Sequence, residues 1–264
     1  MYDFAYHKPS SLAAAVSLLS ADPDAKFISG GQTLLPALKH RLNKPTSVVD
    51  LTGIAEMRGI RREGNKLVIG ALTKHVEVAT SAEVKAAIPA LAQMAATIGD
   101  TQVRNRGTMG GSVANNDPAA DYPAAVLGLG ATIVTSKRKI AADDFFVSMF
   151  TTALEVDELL VAVEFPIPEK AGYAKMRNPA SRYVMAGAFV SKGPMGLRVA
   201  INGAAACVFR QTDMEAALAS NWSPEAAAGV KQSADEMNGD IHGSAEYRAH
   251  LVSVMAKRAV IAAG

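Results

Sequence analysis

A glycine-rich segment at residues 97–123 limits the possible folds of this chain more than any other feature. It contains Gly107, Gly110 and Gly111 among small polar residues, with two arginines shortly before the glycine pair and two aspartates after it. A shorter relative, Ser29-Gly-Gly-Gln-Thr-Leu-Leu-Pro36, lies near the N-terminus. Because paired glycines interrupt helices and strands, we interpret both segments as loops that lead towards helices.

The two glycine segments also indicate an anion site. Consecutive glycines allow backbone N–H groups to turn towards one point, and the start of the following helix favours a phosphate. The hydroxyls of Thr33, Thr108 and Ser112 add donors. Two such segments, far apart in sequence, suit a pyrophosphate held from both sides. Asp121 follows the second one, at a place where it can accept hydrogen bonds from a ribose.

The alternative to a phosphate site is a pair of ordinary turns. The Ser and Thr residues that flank both glycine pairs disfavour this alternative. The sequence lacks G-x-x-x-x-G-K-S/T, and no G-x-G-x-x-G follows its first strand. These absences exclude a P-loop nucleotidase and an ordinary Rossmann site. The pattern Gly128-Leu-Gly130 stands at a predicted helix end and is typical of a helix C-cap.

The composition is that of an ordinary soluble protein. The 264 residues are 49% apolar and 20% charged, which excludes global disorder and allows one large domain or several subdomains. A net charge of +2 does not predict nucleic-acid binding. The densest basic run, residues 137–139, is interpreted as a solvated hairpin turn.

Cysteine content and hydropathy indicate the cellular compartment of the chain. The one cysteine, Cys207, can form neither an internal disulfide nor a thiolate metal site or iron–sulfur cluster. The first residues lack the pattern of a signal peptide, and no apolar run approaches the roughly 20 residues of a membrane span. We therefore expect a cytoplasmic protein with no membrane span.

Hydrophobic periodicity and capping residues predict an α+β chain with a boundary at 166–172. Before the boundary, helices are predicted at 12–21, 33–41, 75–79, 89–97 and 119–129, and strands at 26–28, 47–51, 59–62, 66–71, 131–136, 139–141 and 157–165. After it, an antiparallel sheet is predicted from strands at 173–177, 183–191 and 197–206, followed by helices at 213–218, 223–238 and 244–263. The last third therefore reads as a separate α+β unit.

Three segments carry a resemblance to a known family. Ser29–Pro36, Ile98–Ser112 and Asn116–Pro123 resemble the FAD-binding signatures of the flavoprotein (medium) subunit of molybdenum hydroxylases, such as carbon monoxide dehydrogenase and xanthine dehydrogenase. The resemblance extends over nearly the whole chain. It implies a vanillyl-alcohol-oxidase-type (PCMH-type) fold, in which two subdomains, 1–56 and 57–170, enclose an extended FAD. A small α/β C-terminal domain, 171–264, would follow.

Position by position, the resemblance assigns the pyrophosphate and the flavin edge to the two glycine segments and the adenosine side to Asp121. It places Leu160 and Lys175 near the adenine and the flavin, and Tyr183 close to the isoalloxazine ring. It implies no catalytic residue and no metal ligand on this chain. The implied cofactor-binding residues are Ser29, Gly30, Gly31, Gln32, Thr33, Leu34, Thr108, Met109, Gly110, Gly111, Ser112, Asp121, Leu160, Lys175 and Tyr183.

The sequence departs from the family pattern in two places. Gln32 stands where several members of the family have histidine, so a histidyl–flavin bond is excluded there and FAD is expected to be non-covalent. The C-terminal unit also looks short. This second departure bears on contacts with partner subunits more than on FAD.

The family also implies partners, namely a [2Fe-2S] small subunit and a molybdopterin large subunit, with electrons leaving through FAD to an external acceptor. Two alternatives stay open. One is a self-contained flavin-dependent reductase or oxidase on the same fold, with Tyr183 or Ser181 as proton donor. The other is a nucleotide-binding module without redox chemistry.

The remaining charged residues are interpreted as structural. The five histidines are scattered without metal-ligand spacing, so each is expected to lie on the surface or in packing. For Arg104 and Arg106 we favour a role in pinning the loop to Asp100 and other carboxylates. Contact with an iron–sulfur partner or with phosphates is the alternative.

Overall fold

The computed structural model describes residues 1–264, and its first sheet is three-stranded and parallel, in the order β1-β3-β2. Parallel strands need crossover connections, which two helices supply here. Ser11 caps the first of these helices by accepting from the N–H of Ala14, and serine is a favoured residue at this position. The elements are β1 (Ala5–His7), α1 (Leu12–Ala21), β2 (Lys26–Ile28), α2 (Leu34–Lys39) and β3 (Ser47–Asp50).

The second sheet has five antiparallel strands in the order β4-β5-β10-β6-β7, with six helices inserted between β5 and β6. A small hairpin, β8–β9, stands apart from this sheet. The elements are β4 (Ile60–Glu63), β5 (Lys66–Gly70), α3 (His75–Thr80), α4 (Ala82–Ala87), α5 (Pro89–Ala96), α6 (Thr101–Arg106), α7 (Met109–Asn115), α8 (Tyr122–Gly128), β6 (Thr132–Thr135), β7 (Lys139–Ala141), α9 (Ala142–Phe145), β8 (Phe146–Ser148), β9 (Thr151–Thr152) and β10 (Leu160–Pro166).

The interpretation of the second glycine segment as a loop is wrong, because most of it forms α6 and α7. Asp100 caps α6 by accepting from the N–H of Val103, and Thr108 caps α7 by accepting from the N–H of Gly111. Side-chain caps satisfy helix-end donors and outweigh the poor helix propensity of glycine.

The third unit is a four-stranded antiparallel sheet in the order β11-β12-β13-β14, packed against the long last helix. The predicted helix at 223–238 is wrong in extent, since only its first turns are helical. No helix in the structure is both long and apolar enough to cross a membrane. The elements are β11 (Lys170–Arg177), β12 (Val184–Gly193), β13 (Gly196–Asn202), β14 (Phe209–Arg210), α10 (Thr212–Ser220), α11 (Pro224–Gly229) and α12 (Ala245–Ala263).

Two hydrophobic cores hold the units together. The larger core runs through the first two sheets and reaches the third sheet at Phe189, whereas the smaller one lies between the third sheet and α10–α12. The division into 1–56, 57–170 and 171–264 stays a proposal, which the change of sheet near each boundary supports.

Candidate functional site

The two glycine segments meet at one cleft of about 710 Å³. The volume is in the usual range for cofactor sites. Apart from Met109 and Lys175, all of the residues that the resemblance assigned to the cofactor line this cleft. They are Ser29, Gly30, Gly31, Gln32, Thr33, Leu34, Thr108, Gly110, Gly111, Ser112, Asp121, Leu160 and Tyr183.

The segments touch each other directly. Gly30 lies so close to the backbone of Arg106 and Gly107 that a side chain at position 30 would overlap with the Arg106 carbonyl. The hydroxyls of Ser29 and Thr108 form a hydrogen bond of 3.0 Å. Glycine is therefore needed at position 30 for close approach of the two segments rather than for an unusual backbone angle.

The first segment offers free backbone donors. The N–H groups of residues 30–33 donate no hydrogen bond within the chain, although they stand just before α2. Gly31 adopts the left-handed region, with φ +72°, which turns the chain at this point. Gln32 folds back, and its side-chain amide donates to the Gly30 carbonyl at 3.3 Å. Such a turn is the anion-binding arrangement that the sequence indicated.

The second segment differs, because its N–H groups are already used. Met109 and Gly110 donate to the carbonyls of Thr73 and Ala71, both at 2.9 Å, and Gly111 donates to the Thr108 hydroxyl at 3.2 Å. The segment therefore presents hydroxyl groups and helix surface to the cleft, not a second row of free N–H groups.

Arg104 pins its own segment but not through carboxylates. Its guanidinium donates to the carbonyls of Ile98 and Gly99 at 3.0 and 3.1 Å, and to the Thr101 hydroxyl. The exposed Arg106 side chain forms no hydrogen bond or ion pair within the chain. The structural role that we favoured for both arginines therefore describes Arg104 only.

Asp121 lies in a buried ion pair beside the cleft. Its Oδ1 accepts from Lys175 Nζ at 2.7 Å and from the Tyr173 hydroxyl at 2.8 Å. Its Oδ2 accepts no hydrogen bond within the chain and is free for a ligand hydroxyl. Burial raises the pKa of the Asp121 carboxyl, while Lys175 and Tyr173 oppose that rise.

Two of the residues assigned to the cofactor do not line the cleft. Met109 is the first residue of α7 and is fully buried. Lys175 is buried behind Asp121, where its ammonium also donates to the carbonyls of Thr97 and Arg182 at 3.3 and 3.4 Å. Lys175 thus joins three segments around the cleft instead of facing its interior.

Tyr183 ends a tight turn at residues 178–183 and is 52% exposed. The turn is tied to the second glycine segment, because the Arg182 guanidinium donates to the Gly99 carbonyl at 3.0 Å. Arg182 itself has φ +64°, a strained angle for arginine. Partial burial and the nearby Asp117 carboxylate raise the pKa of the Tyr183 hydroxyl.

Leu160 lines the cleft at the start of β10, next to a buried carboxylate, Glu158. The Arg138 guanidinium and the Thr135 hydroxyl lower the pKa of Glu158 to about 2. Lys137 pairs with Glu155 and Asp157. The predicted solvated hairpin turn at 137–139 is confirmed, since these residues are exposed between β6 and β7, and their cations form surface ion pairs.

Sequence reasoning missed two residues of the cleft wall, His75 and Phe150. His75 is 5% exposed and packs against Tyr122 with ring centroids 5.4 Å apart. Burial, aided by Arg104, lowers its pKa to about 4, so its imidazole is neutral at pH 7. Phe150, at the tip of the β8–β9 hairpin, has φ +54° and is 59% exposed.

Comparison with known families matches residues 2–168 to a family described as the FAD binding domain in molybdopterin dehydrogenase. The carbon monoxide dehydrogenase medium chain of Hydrogenophaga pseudoflava is 34% identical over 277 residues, covering 98% of this chain and 96% of that protein. The nicotine 6-hydroxylase medium subunit of Paenarthrobacter nicotinovorans is 34% identical over 273 residues, with the same coverage of both.

A solved structure extends the likeness to three dimensions. Reconstituted CO dehydrogenase from Oligotropha carboxidovorans superimposes with a TM-score of 0.93 at 32% identity, covering 99% of this chain and 98% of the other. The predicted α+β fold class is therefore confirmed. The C-terminal unit, which we expected to be short, is included in this match.

Proposed function

This chain belongs to the family of FAD-binding medium subunits of molybdenum hydroxylases, and we propose that it passes electrons from a [2Fe-2S] subunit through FAD to an external acceptor. Membership of the family makes the chain an oxidoreductase subunit with FAD as its cofactor. The observation that carries the proposal is the cleft, which combines free backbone donors at residues 30–33 with a free carboxylate oxygen at Asp121.

The residues of the cleft fit the phosphates and the ribose of FAD. We assign the pyrophosphate to the free N–H groups of residues 30–33 and to the hydroxyls of Thr33, Thr108 and Ser112. A helix N-terminus and free N–H groups favour such anions. Asp121 Oδ2 is assigned to a ribose hydroxyl, and Leu160 to an apolar ring. Met109 and Lys175 are assigned supporting roles, since neither lines the cleft.

The remaining assignment concerns the part of the cleft that would hold the isoalloxazine ring of FAD. When bound, FAD supplies the exchange of electrons between one-electron carriers and an acceptor, and the protein binds and orients it. We assign Tyr183 to the neighbourhood of the isoalloxazine ring. No general acid or base is required on this chain for electron transfer.

A spectrum tests FAD binding and its non-covalent character. The purified chain, or the chain mixed with FAD, is expected to show flavin absorbance. After the chain is denatured and filtered, the flavin is expected in the filtrate. Absence of flavin after mixing would refute the assignment of the cleft. Flavin that stays with the denatured chain would refute the non-covalent binding that is expected from Gln32.

A co-purification experiment tests the electron-transfer role. Isolated from its native cells, the chain is expected to carry with it a subunit with [2Fe-2S] clusters and a subunit with molybdopterin. Rapid mixing with the reduced iron–sulfur partner is then expected to bleach flavin absorbance. Turnover of a substrate by the isolated, FAD-loaded chain would instead support the self-contained reductase or oxidase.

A further inference from the structure

A second cavity, of about 460 Å³, adjoins the cleft and faces the third unit. Four residues line both spaces, namely Asp117, Phe150, Ser181 and Tyr183. We propose that this second cavity binds the electron acceptor of the chain, and that the acceptor is a neutral planar quinone. The proposal rests on the proposed function, because it takes FAD as the electron donor.

The shared wall suits a planar aromatic ligand. Tyr183 and Phe150 are both more than half exposed, and each lines the two spaces at once. Phe150 is held in its strained conformation, because its N–H donates to the Asn116 carbonyl at 3.1 Å. The Asn116 amide also donates to the carbonyls of Ser148 and Thr151, both at 2.8 Å. Strain kept by surrounding contacts is common at ligand sites.

The polar groups of the cavity suit carbonyl oxygens. The side-chain Nδ2 atoms of Asn178 and Asn238 donate no hydrogen bond within the chain, although both residues line the cavity. Amide nitrogens are donors, and the oxygens of a quinone are acceptors. Met185 supplies apolar wall beside them, as expected for a small-molecule site.

The charges of the cavity disfavour a phosphate-bearing nucleotide. Its one buried cation, Arg248, already donates to the carbonyls of Met185 and Gly203 at 2.6 and 3.0 Å and to the Asp240 carboxylate at 2.7 Å. Asp117 adds a carboxylate, and no lysine lines the space. A dinucleotide phosphate would therefore meet negative charge without a free cation.

We assign electron transfer rather than hydride transfer to this site, because of the four residues that border both spaces. A molecule in the second cavity is separated from one in the cleft by the side chains they share, whereas hydride transfer needs reacting atoms about 3–3.5 Å apart. Electrons can cross this wall without such contact. Two electrons would pass from the reduced flavin to the quinone, while the flavin would release two protons to solvent and the quinone would take up two from solvent to become a quinol.

Equilibrium dialysis of menadione against the FAD-loaded full chain tests the proposal. Ala119 lines the second cavity but not the cleft, so Ala119→Leu fills the site. This variant is expected to weaken menadione binding at least about tenfold, with flavin content unchanged. The matched control, Ala219→Leu, adds the same side chain at an exposed position of α10 and is expected to bind like the parent chain.

Asn238→Ala gives an independent reading if Ala119→Leu folds poorly. Loss of one neutral hydrogen bond is expected to weaken menadione binding by about three- to tenfold. Normal flavin content without menadione binding, or binding that neither substitution changes, would overturn the quinone site and leave the FAD assignment intact. Competition by NAD at equal concentration would also overturn it. Loss of flavin from the parent chain would refute the proposed function instead.

Discussion

Gly30 and Gly31 of the first segment stand among backbone N–H groups that are free, whereas Gly110 and Gly111 of the second lie in a helix and donate hydrogen bonds. The residue types are alike, but the tertiary surroundings differ. The first segment projects between β2 and α2, and the second is seated on the chain that follows β5.

This difference teaches that glycine serves two physical purposes in one cleft. In the first segment a positive φ at Gly31 turns N–H groups towards a ligand. In the second, Gly110 lies against Ala71 so closely that a side chain would overlap with it. We therefore expect Gly31 of the first segment to affect FAD binding through its backbone, and Gly110 of the second to affect mainly the stability of the scaffold.

The largest effect is expected at the scaffold's buried ion pair. Asp121→Asn leaves the Lys175 ammonium, whose side chain is 6% exposed, without a counter-charge. Breaking such a pair costs roughly 3–5 kcal/mol of unfolding free energy. Urea unfolding of the FAD-free chain measures the loss. The double variant Asp121→Asn with Lys175→Met is expected to recover most of it, and no recovery would show that the pair is not the cause.

The second prediction concerns pH and His75, whose ring lies against Gly107 of the second segment. Because its pKa falls from 6.5 to about 4 on folding, the unfolded chain binds a proton that the folded chain does not. The contribution of His75 to the unfolding free energy is therefore fully present above pH 6.5 and is lost as the pH falls towards 4. The loss is about 3 kcal/mol, since one pKa unit is about 1.4 kcal/mol.

Urea unfolding of the FAD-free chain at several pH values checks the His75 prediction. His75→Leu is expected to remove most of the slope between pH 6.5 and 4. His250→Leu, at an exposed position of α12, serves as the matched control and is expected to keep it. Equal slopes in the two variants would contradict the assignment to His75.

A third prediction separates the neighbouring glycines of α7. Gly110→Ala is expected to lower the unfolding free energy by about 1–3 kcal/mol, because the new methyl group overlaps with Ala71. Gly111→Ala is exposed, and its methyl group would meet only the hydroxyls of Ser29 and Thr108, at 2.8 Å. It displaces the Thr108 hydroxyl that caps α7, a cost that the better helix propensity of alanine partly offsets. It is therefore expected to lower stability less than Gly110→Ala and to weaken FAD binding, measured by flavin fluorescence titration. Equal loss of stability in both would contradict the division of roles.

Local signals predicted much of the fold. The Ser11 cap, the hairpin between β6 and β7 and the glycine end of α8, where Gly130 has φ +60°, follow from neighbours in sequence. Strand β1 was missed, because it is three residues long and pairs with residues 47–49, far along the chain. Helix α4 was missed although Ser81 caps it, which was a readable signal.

The site was predicted less completely, for a physical reason. Motifs name residue types, but whether an N–H group is free depends on what packs beneath it. The hydrogen bonds from Met109 and Gly110 to the chain after β5 could not be seen in sequence. The neutral state of His75 and the conformation of Phe150 also follow from burial and from distant contacts, which leave no local pattern.

The smallest expected effect tests the first segment itself. Gly31→Ala and Gly31→Asn both place a side chain 2.8 Å from the flexible end of Leu35, so they share that cost. They differ in the left-handed angle of φ +72°, which asparagine tolerates better than alanine. Gly31→Ala is therefore expected to be less stable than Gly31→Asn by about 1 kcal/mol and to bind FAD more weakly. If the two variants bind FAD equally, the turn at Gly31 does not orient the free N–H groups, and the contrast between the segments fails.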